Sequence, residues 1–351
     1  MNSKNIVMSF VVLALLGGGV AYYLHWQHQQ KRKAQHEAHA KEREGQFKVA
    51  LVTPGAYTEG GWNQNAVKAL DKIGKELNAK TFKFAADNSN SAYTQFRKYL
   101  DEQKVNVIIG HAGEYQSAKA VEIAKDYPNA VILISGTKVT EGNVVGVRFV
   151  LEDATYVIGQ LAALMSKTNV LGCVGPEPWP VIESTFYAFE QGAKSVKPDI
   201  KVRVVWTQSG SDIARAKEQT LQLISEGADF ILHNADNAAK GVFEAVQANK
   251  EKGVLVFGSN DDQALTLPQF DDIILASASL DIPSAYLEIC KQIKDGKFEK
   301  KTQFIGMQSG MVTVPFNKKL EAKIPADVRK KIDETIEKLK KGELSAPRRD
   351  L

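Results

Sequence analysis

From residue 47 onward the chain alternates short apolar, β-branched runs with longer segments whose apolar positions recur every three or four residues. The runs include FKVALVTP, TFKFAAD, VNVIIGH and AVILISG, and the intervening segments include AVKALDKIGKEL and SAYTQFRKYLDEQ. Such runs predict buried strands, and the longer period predicts amphipathic helices. Alternation of the two predicts right-handed crossovers and a mostly parallel sheet.

A second series of the same kind follows, with the runs NVLGCVG, KVRVVWT, DFILHN, VLVFGS and DIILASAS. We therefore predict an α/β fold with two doubly wound parallel-sheet lobes joined by a hinge. The last of these runs and its helix are predicted to return to the first lobe, so that the chain crosses between lobes more than once. Ligands of open α/β sheets bind beyond the carboxyl ends of the strands, which here face a cleft.

The same pattern sets the expected boundaries. We divide the chain into a membrane anchor or signal segment (1–26), a polar linker (27–46), a first lobe (47–155 with about 273–298), a second lobe (156–272 with about 299–323), and a charged surface helix with a frayed end (324–351).

The amino-terminal segment has two interpretations. Residues 6–24 form an apolar run of roughly 19 residues, close to the ~20 that span a bilayer as a helix, and Tyr22, Tyr23 and Trp26 follow as an interfacial belt would. Alternatively it is a cleaved signal peptide with a small-residue site at 19–21. The basic residues 31–33 conflict with an extracytoplasmic fold under the positive-inside rule.

Composition and the absence of known motifs argue against several functional classes. The net charge is +4, from 45 Lys/Arg and 41 Asp/Glu that are mixed along the chain, so no nucleic-acid-binding stripe is predicted. Cys173 and Cys290 lack partners at metal-ligand spacing and are expected to be buried free thiols. The phosphate-binding loop, the GxSxG elbow and the HExxH pair are missing from the sequence, and we predict no metal and no cofactor.

Polar and aromatic residues occupy the turns after the predicted strands. These turns include Tyr57, Glu59, Trp62, Asn63, Asp87, Asn88, His111, Glu114, Glu177, Trp179, Glu183, Ser209, Ser211, Asp212, Asn234, Asp236, Asn237, Asn260, Asp261, Asp262 and Gln263. Hydrogen-bonding groups with aromatic rings among them suit a polar, planar small molecule. Ordinary helix caps would account for many of the polar ones, and the two tryptophans could instead cover core edges. His111 and Glu114 could form an acid/base pair, but no third group is evident to orient them.

Several stretches together resemble a known family. They are GGWNQNA, AKDYPNAVILISG, NVVGVRFVLEDATYVIGQLAALMSKTNVLGCVG, AFEQGAKSVKPDIKVRVVW, LISEGADFILHNAD and VFGSNDDQ. Residues 47 to about 316 resemble the basic membrane protein family of extracytoplasmic solute-binding proteins, which are purine-nucleoside receptors of ABC importers with the type I periplasmic-binding fold. The spacing of Tyr156 and Gly159 near the Lys-Thr pair at 167–168, and the run from Gly192 to Pro198, are especially typical of it.

The resemblance implies ligand roles only at matching positions. Trp62 lies where the family has an aromatic that stacks on the base, Asn63 matches its polar neighbour, and Glu59 replaces an aspartate. Three other positions depart from the family: its second aromatic is Gly210, an aspartate that holds ribose hydroxyls is Asn260, and a lysine is Leu280. These departures argue against a standard nucleoside as the ligand, since unpaired polar groups cost ~1 to 3 kcal/mol each.

We therefore predict a solute-binding protein, and not an enzyme, that closes on a purine base, nucleoside or related heterocycle and delivers it to an ABC importer. The alternative is a membrane-anchored sensor or scaffold with the same fold. Its partners would be the ligand, a transporter permease or sensor protein, and the membrane through the amino-terminal helix. The protein would be extracytoplasmic, or secreted if the signal is cleaved. The predicted ligand-binding residues are Glu59, Trp62, Asn63, Asp87, Glu114, Trp179, Asp236 and Asn260.

Overall fold

The computed structural model describes residues 23, 26–27, 30, 45–57 and 61–349. The predicted anchor or signal segment and most of the linker lie outside these residues. No helix within the described part of the chain has both the length and the apolar character needed to cross a membrane.

The first lobe is built from strands and helices that alternate as predicted. It contains β1 (Lys48–Thr53), α1 (Trp62–Glu76), β2 (Lys80–Ala85), α2 (Ser89–Lys98), β3 (Val107–Gly110), α3 (Ala118–Lys125), β4 (Val131–Ser135) and β5 (Val144–Phe149). A π-helical turn at Tyr99–Gln103 extends α2, and a 3-10 turn at Gly113–Tyr115 follows β3.

The second series begins with α4 (Glu152–Met165), in which the predicted boundary at 155/156 falls. It continues with β6 (Val170–Gly175), α5 (Pro180–Val196), β7 (Lys201–Trp206), α6 (Ile213–Ser225), β8 (Phe230–His233), α7 (Ala239–Ala248), β9 (Leu255–Asn260), α8 (Gln263–Thr266) and β10 (Ile274–Leu280). The remaining elements are α9 (Ile282–Lys294), β11 (Gln303–Ile305), β12 (Val312–Thr313) and α10 (Ala326–Lys341), with 3-10 turns at Asp236–Ala238, Lys250–Lys252, Pro268–Phe270, Met307–Ser309 and Glu321–Lys323.

Two six-stranded sheets form the cores of the lobes. Their strand orders are β11-β5-β4-β3-β1-β2 and β12-β10-β9-β8-β6-β7, and every pairing is parallel except that of β12 with β10. Most central strands are buried along their whole length because helices cover both faces, which explains their nearly continuous apolar sequences. The predicted fold of two doubly wound parallel sheets is confirmed.

One part of the predicted division is wrong. Residues 274–280 do not return to the first lobe, because β10 pairs with β9 in the second sheet. Of the strand and helix predicted to return, only the helix α9 reaches the first lobe, where Lys72 of α1 donates to the Ser284 hydroxyl at 2.9 Å. The later residues also divide between the lobes, since β11 pairs with β5 and β12 pairs with β10. An apolar strand carries no local mark of which sheet edge it will join, so its sequence could not reveal where the crossing occurs.

The three crossings between the sheets are hydrogen-bonded to one another. Asp153, at the start of α4, accepts from the backbone NH of Met307 at 3.0 Å, and the backbone NH of Asp281 donates to the Met311 carbonyl at 2.7 Å. Arg148 pairs with Glu152 across the first crossing, and both side chains are buried. Burial raises the pKa of Asp153. These bonds make the crossings one connected hinge.

The carboxyl-terminal segment packs more closely than predicted. Helix α10 buries Val328, Ile332 and Leu339 against the hinge side of the fold. The residues after it are not frayed as far as the structure describes them: Ala346 is buried, and the backbone NH of Arg349 donates to the Ser184 hydroxyl at 3.2 Å. The sparse apolar residues of this segment are enough to attach it.

Helices α4 and α5 cross at unusually short distance because glycines face each other's backbone. A Cβ added at Gly159 would lie 2.0 Å from the Phe189 carbonyl oxygen, and one at Gly192 would lie 2.0 Å from that of Tyr156. The Tyr-x-x-Gly spacing and the glycine of the Gly-Ala-Lys run are therefore packing requirements.

We expect Gly159→Ala to lower the free energy of unfolding by about 3 kcal/mol or more, because the new methyl group forces the two helices apart. The matched control is Gly74→Ala in α1, where the nearest atom to the added Cβ would be the Thr81 methyl group, at 3.2 Å. The control should change stability by about 1 kcal/mol or less. Denaturant unfolding of both variants measures this, and equal stability of the two would contradict the close crossing.

Candidate functional site

The strand order of each sheet reverses at one point, and these points define the two halves of the cleft. In the first sheet β1 lies between β2 and β3, and in the second sheet β6 lies between β7 and β8. Ligands of doubly wound sheets bind at the carboxyl ends of such strands. The loops that follow β1 and β3 carry Trp62 and His111, and those that follow β6 and β8 carry Trp179 and Asp236.

Trp62 and His111 form a single unit. Their rings stack with centroids 4.1 Å apart and planes inclined by 18°. The indole Nε1 donates to the His111 carbonyl at 3.1 Å, and His111 Nε2 lies 3.1 Å from the Trp62 carbonyl. Because a carbonyl can only accept, Nε2 must carry the hydrogen, and Nδ1 then accepts from the Tyr286 hydroxyl at 2.8 Å. The edge of Phe149 also contacts the indole.

This unit limits what His111 can do. The residue is fully buried, and burial lowers its pKa to about 3, so the imidazole is neutral at physiological pH. Both ring nitrogens are engaged, whereas Glu114 is an exposed residue of the neighbouring 3-10 turn. The geometry therefore does not support the acid/base pair. His111 instead supports one face of Trp62, which itself remains partly exposed.

The other first-lobe candidates differ in their surroundings. Asn63 is buried, and its Nδ2 donates to the Ala56 carbonyl at 3.3 Å, which closes the turn between β1 and α1. Asp87 is exposed and precedes Asn88, whose side chain caps α2. Glu59 lies outside the described residues.

The second-lobe candidates lie on three separate loops. Trp179 is 46% exposed, and its Nε1 donates to Glu177 Oε2 at 3.1 Å. Asn260, at the end of β9, has a left-handed backbone with φ 66° and donates to Asn234 Oδ1 at 3.1 Å. Asp212, by contrast, accepts from the backbone NH of Arg215 at 2.9 Å and is a helix cap. A direct contact between Trp62 and Trp179 is not among those of the described residues.

Two positions that depart from the family pattern have structural consequences. Leu280 is 5% exposed and packs in the apolar core, so a charged side chain would not fit its surroundings unchanged. Gly210 lies under the carboxyl group of Asp236: a Cβ at this glycine would be 3.1 Å from Asp236 Oδ2.

Sequence reasoning missed two residues near the cleft. Tyr286, on α9, donates its hydroxyl to Nδ1 of His111 from 175 positions away, and no local pattern signals such a distant partner. Lys68, on the exposed side of α1, lies 3.8 Å from Asp261 of the second lobe. It lies six residues after Trp62, about 1.7 turns along α1 and on a different face of the helix, so helical spacing alone does not signal this contact.

Comparison with known proteins identifies the family. Residues 46–350 match the family described as ABC transporter substrate-binding protein PnrA-like, and the chain belongs to it. A purine-binding protein of Brucella abortus is 26% identical over 313 residues, which cover 88% of this chain and 84% of that protein. The transcriptional activator protein med of Bacillus subtilis is 26% identical over 266 residues, covering 76% and 80%.

A solved structure shows the same fold. The solute-binding protein of an ABC transporter system from Conexibacter woesei superposes with a TM-score of 0.69 at 20% sequence identity, covering 86% of this chain and 99% of that one. The predicted family and the periplasmic-binding type of fold are thus confirmed, and the chain is a substrate-binding protein of the ABC transporter class.

Asp236 should make stability depend on pH. Desolvation raises its pKa from 3.8 to about 6, because the loop at Gly210 packs against the carboxyl group, although the residue as a whole is exposed to solvent. A raised carboxyl pKa means that the folded state favours the protonated form. The stability that this provides is complete below the ordinary pKa and is lost as the pH rises through about 6.

We therefore expect Asp236→Asn to gain stability relative to the wild type at about pH 7.5 but not at about pH 4, since the neutral amide removes the cost of ionisation. Unfolding temperatures of both proteins at the two pH values measure this. The backbone effect of asparagine is the same at each pH, so an identical difference at both would contradict the assigned pKa shift.

Proposed function

We propose that this protein captures a purine base, nucleoside or related heterocycle between its lobes and delivers it to an ABC importer. The observation that carries the proposal is the Trp62 ring, held at the carboxyl end of the first sheet by His111 and still partly exposed. An aromatic ring in this position offers a face to a planar ligand, and such stacking contributes ~1 to 3 kcal/mol per base.

Binding, in this proposal, involves no chemistry. The ligand draws the lobes together around the hinge, and the transporter permease recognises the closed form. The exposed Lys68–Asp261 pair joins the lobes on the side of the cleft loops. An exposed pair of this kind contributes ~0 to 1 kcal/mol, which is compatible with repeated opening. The fold would stand outside the cytoplasmic membrane, attached through the amino-terminal segment or released after cleavage.

The second lobe favours a base over an intact nucleoside. Asn260 is already hydrogen-bonded to Asn234, and Leu280 is buried among apolar residues. Neither carries the charged group that the family resemblance implies at its position, and the aspartate replaced by Asn260 is the one it assigns to the ribose hydroxyls. The purine-binding relative from Brucella abortus supports the same ligand class.

A membrane-anchored sensor is the second candidate. The relative med is named a transcriptional activator, although it aligns with 76% of this chain. Loss of charged groups at the positions of Asn260 and Leu280 is consistent with a fold that no longer serves import. In that case the cleft would bind a signalling ligand or no small molecule at all. A membrane protein partner would then recognise the open or closed conformation of the lobes.

A thermal-shift screen of the full-length protein distinguishes these functions. We expect adenine, guanine or hypoxanthine to raise the unfolding temperature more than their nucleosides do, and sugars and amino acids to have no effect. A ligand at about 100 times its dissociation constant adds roughly 2.7 kcal/mol. If no purine produces a shift, the import proposal fails and the sensor remains.

Variants of Trp62 test the stacking surface on whichever purine shifts most. Trp62→Phe keeps an aromatic face and should bind nearly as well, whereas Trp62→Ala should weaken binding by about tenfold or more. Both lose the hydrogen bond from Nε1 to His111, so their unliganded stabilities should fall, and isothermal titration at a temperature where both are folded separates the effects. Unchanged affinity of the alanine variant would show that the indole only covers the core.

A further inference from the structure

Asp236 occupies a distinctive position at the reversal point of the second sheet. It follows β8 and begins the short turn Asp236–Ala238, with a left-handed backbone at φ 47°. Aspartate and asparagine adopt this conformation more readily than other non-glycine residues, as Asn260 also does here. The backbone therefore explains the residue type, but not what the carboxyl group contacts.

The fold does not use this carboxyl group. Neither the turn at Asp236 nor α7 has a side-chain cap. Asp212 and Asp281, in contrast, accept from the backbone NH groups of Arg215 and Ser284 and cap their helices. Among the hydrogen bonds and ion pairs of the described residues, none involves the carboxylate oxygens of Asp236.

The neighbouring loop leaves space for the group. The backbone NH of Ala238 donates to the Gly210 carbonyl at 2.9 Å, which ties the loops after β7 and β8 together. The carboxyl group of Asp236 lies directly over Gly210, whose Cβ would be 3.1 Å from Oδ2 and 3.5 Å from the Asp236 Cβ. Gly210 is the position at which the family resemblance predicts a second aromatic ring. The Asp236 carboxylate therefore lies next to the position where the family resemblance implies an aromatic ring.

The loops at this end of the second sheet provide no cation to neutralise it. The segments 176–179, 207–212, 234–237 and 260–262 contain acidic residues but no lysine or arginine. The position of the expected lysine is Leu280, and Lys240, one helical turn after Asp236, forms no ion pair with it among the described residues. Lys68, from the first lobe, lies beside Asp261 instead.

We propose that Asp236 determines ligand specificity in the second lobe by selecting a positively charged planar heterocycle over a neutral one. This inference rests on the proposed function, because it takes the cleft as the binding site and Trp62 as the stacking surface. The two residues would act together, because the face of an indole attracts a cation and a carboxylate without a protein partner can form a charge-assisted hydrogen bond with one. The pKa of about 6 leaves the carboxyl group largely ionised at neutral pH.

The test compares two isomeric ligands on the full-length protein at neutral pH. 1-Methyladenosine is a cation under these conditions, whereas N6-methyladenosine has the same composition and is neutral. We expect isothermal titration to show the cation binding about tenfold more tightly or better, as a charge-assisted hydrogen bond would produce. Asp236→Asn should abolish this preference, chiefly by weakening the binding of the cation.

Asp212→Asn is the matched control, because it removes a carboxylate of the same lobe that caps a helix. It should keep the preference for the cation. An equal preference in wild type and Asp236→Asn, or tighter binding of the neutral isomer by wild type, overturns the role of Asp236 and leaves the proposed function standing. If neither isomer binds although a purine binds in the thermal-shift screen, the role of Asp236 is overturned and the proposed function stands. If no purine binds either, both proposals are overturned.

Discussion

The hydrogen bonds of one buried imidazole hold the first half of the cleft together. His111 accepts a hydrogen bond from the Tyr286 hydroxyl on α9 and donates one to the backbone carbonyl of Trp62 at the start of α1. Its ring also stacks on the indole of Trp62. Three segments that are distant in sequence are therefore fixed by a group that must remain neutral. Burial secures that neutrality, since it lowers the pKa of His111 to about 3. The orientation of the Trp62 ring follows from this arrangement.

The hinge provides the second constraint. Helices α4 and α5 approach so closely at Gly159 and Gly192 that only hydrogen atoms fit between their backbones. The crossings beside them are joined through Asp153 and Asp281, and the carboxyl-terminal tail packs on α5 near Ser184. Dense packing of this kind resists gradual deformation, so relative motion of the lobes would concentrate in the few residues of the crossings.

The two halves of the cleft have different chemistry although their sheets share one topology. The first half presents an aromatic ring supported by a neutral histidine, and the second presents amides and carboxylates with a glycine at the position of a predicted aromatic. Membership of the substrate-binding family thus establishes the fold and the general role. The identity of the ligand is a separate question, because it depends on the particular side chains that each half of the cleft carries.

Much of the architecture can be predicted from local sequence patterns. The alternation of runs and amphipathic segments marks the strands and helices, and the cap positions of Asn88 and Asp212 can be recognised from residue type. The sheet to which β10 belongs, the pairing of His111 with Tyr286, and the attachment of the tail at Arg349 could not be recognised in this way. Asp236 illustrates the difference most clearly, because by residue type it is as good a cap as Asp212. Periodicity and capping depend on neighbours within a few positions, whereas strand order brings together loops that are far apart along the chain, and only that order decides which side chains meet in the cleft.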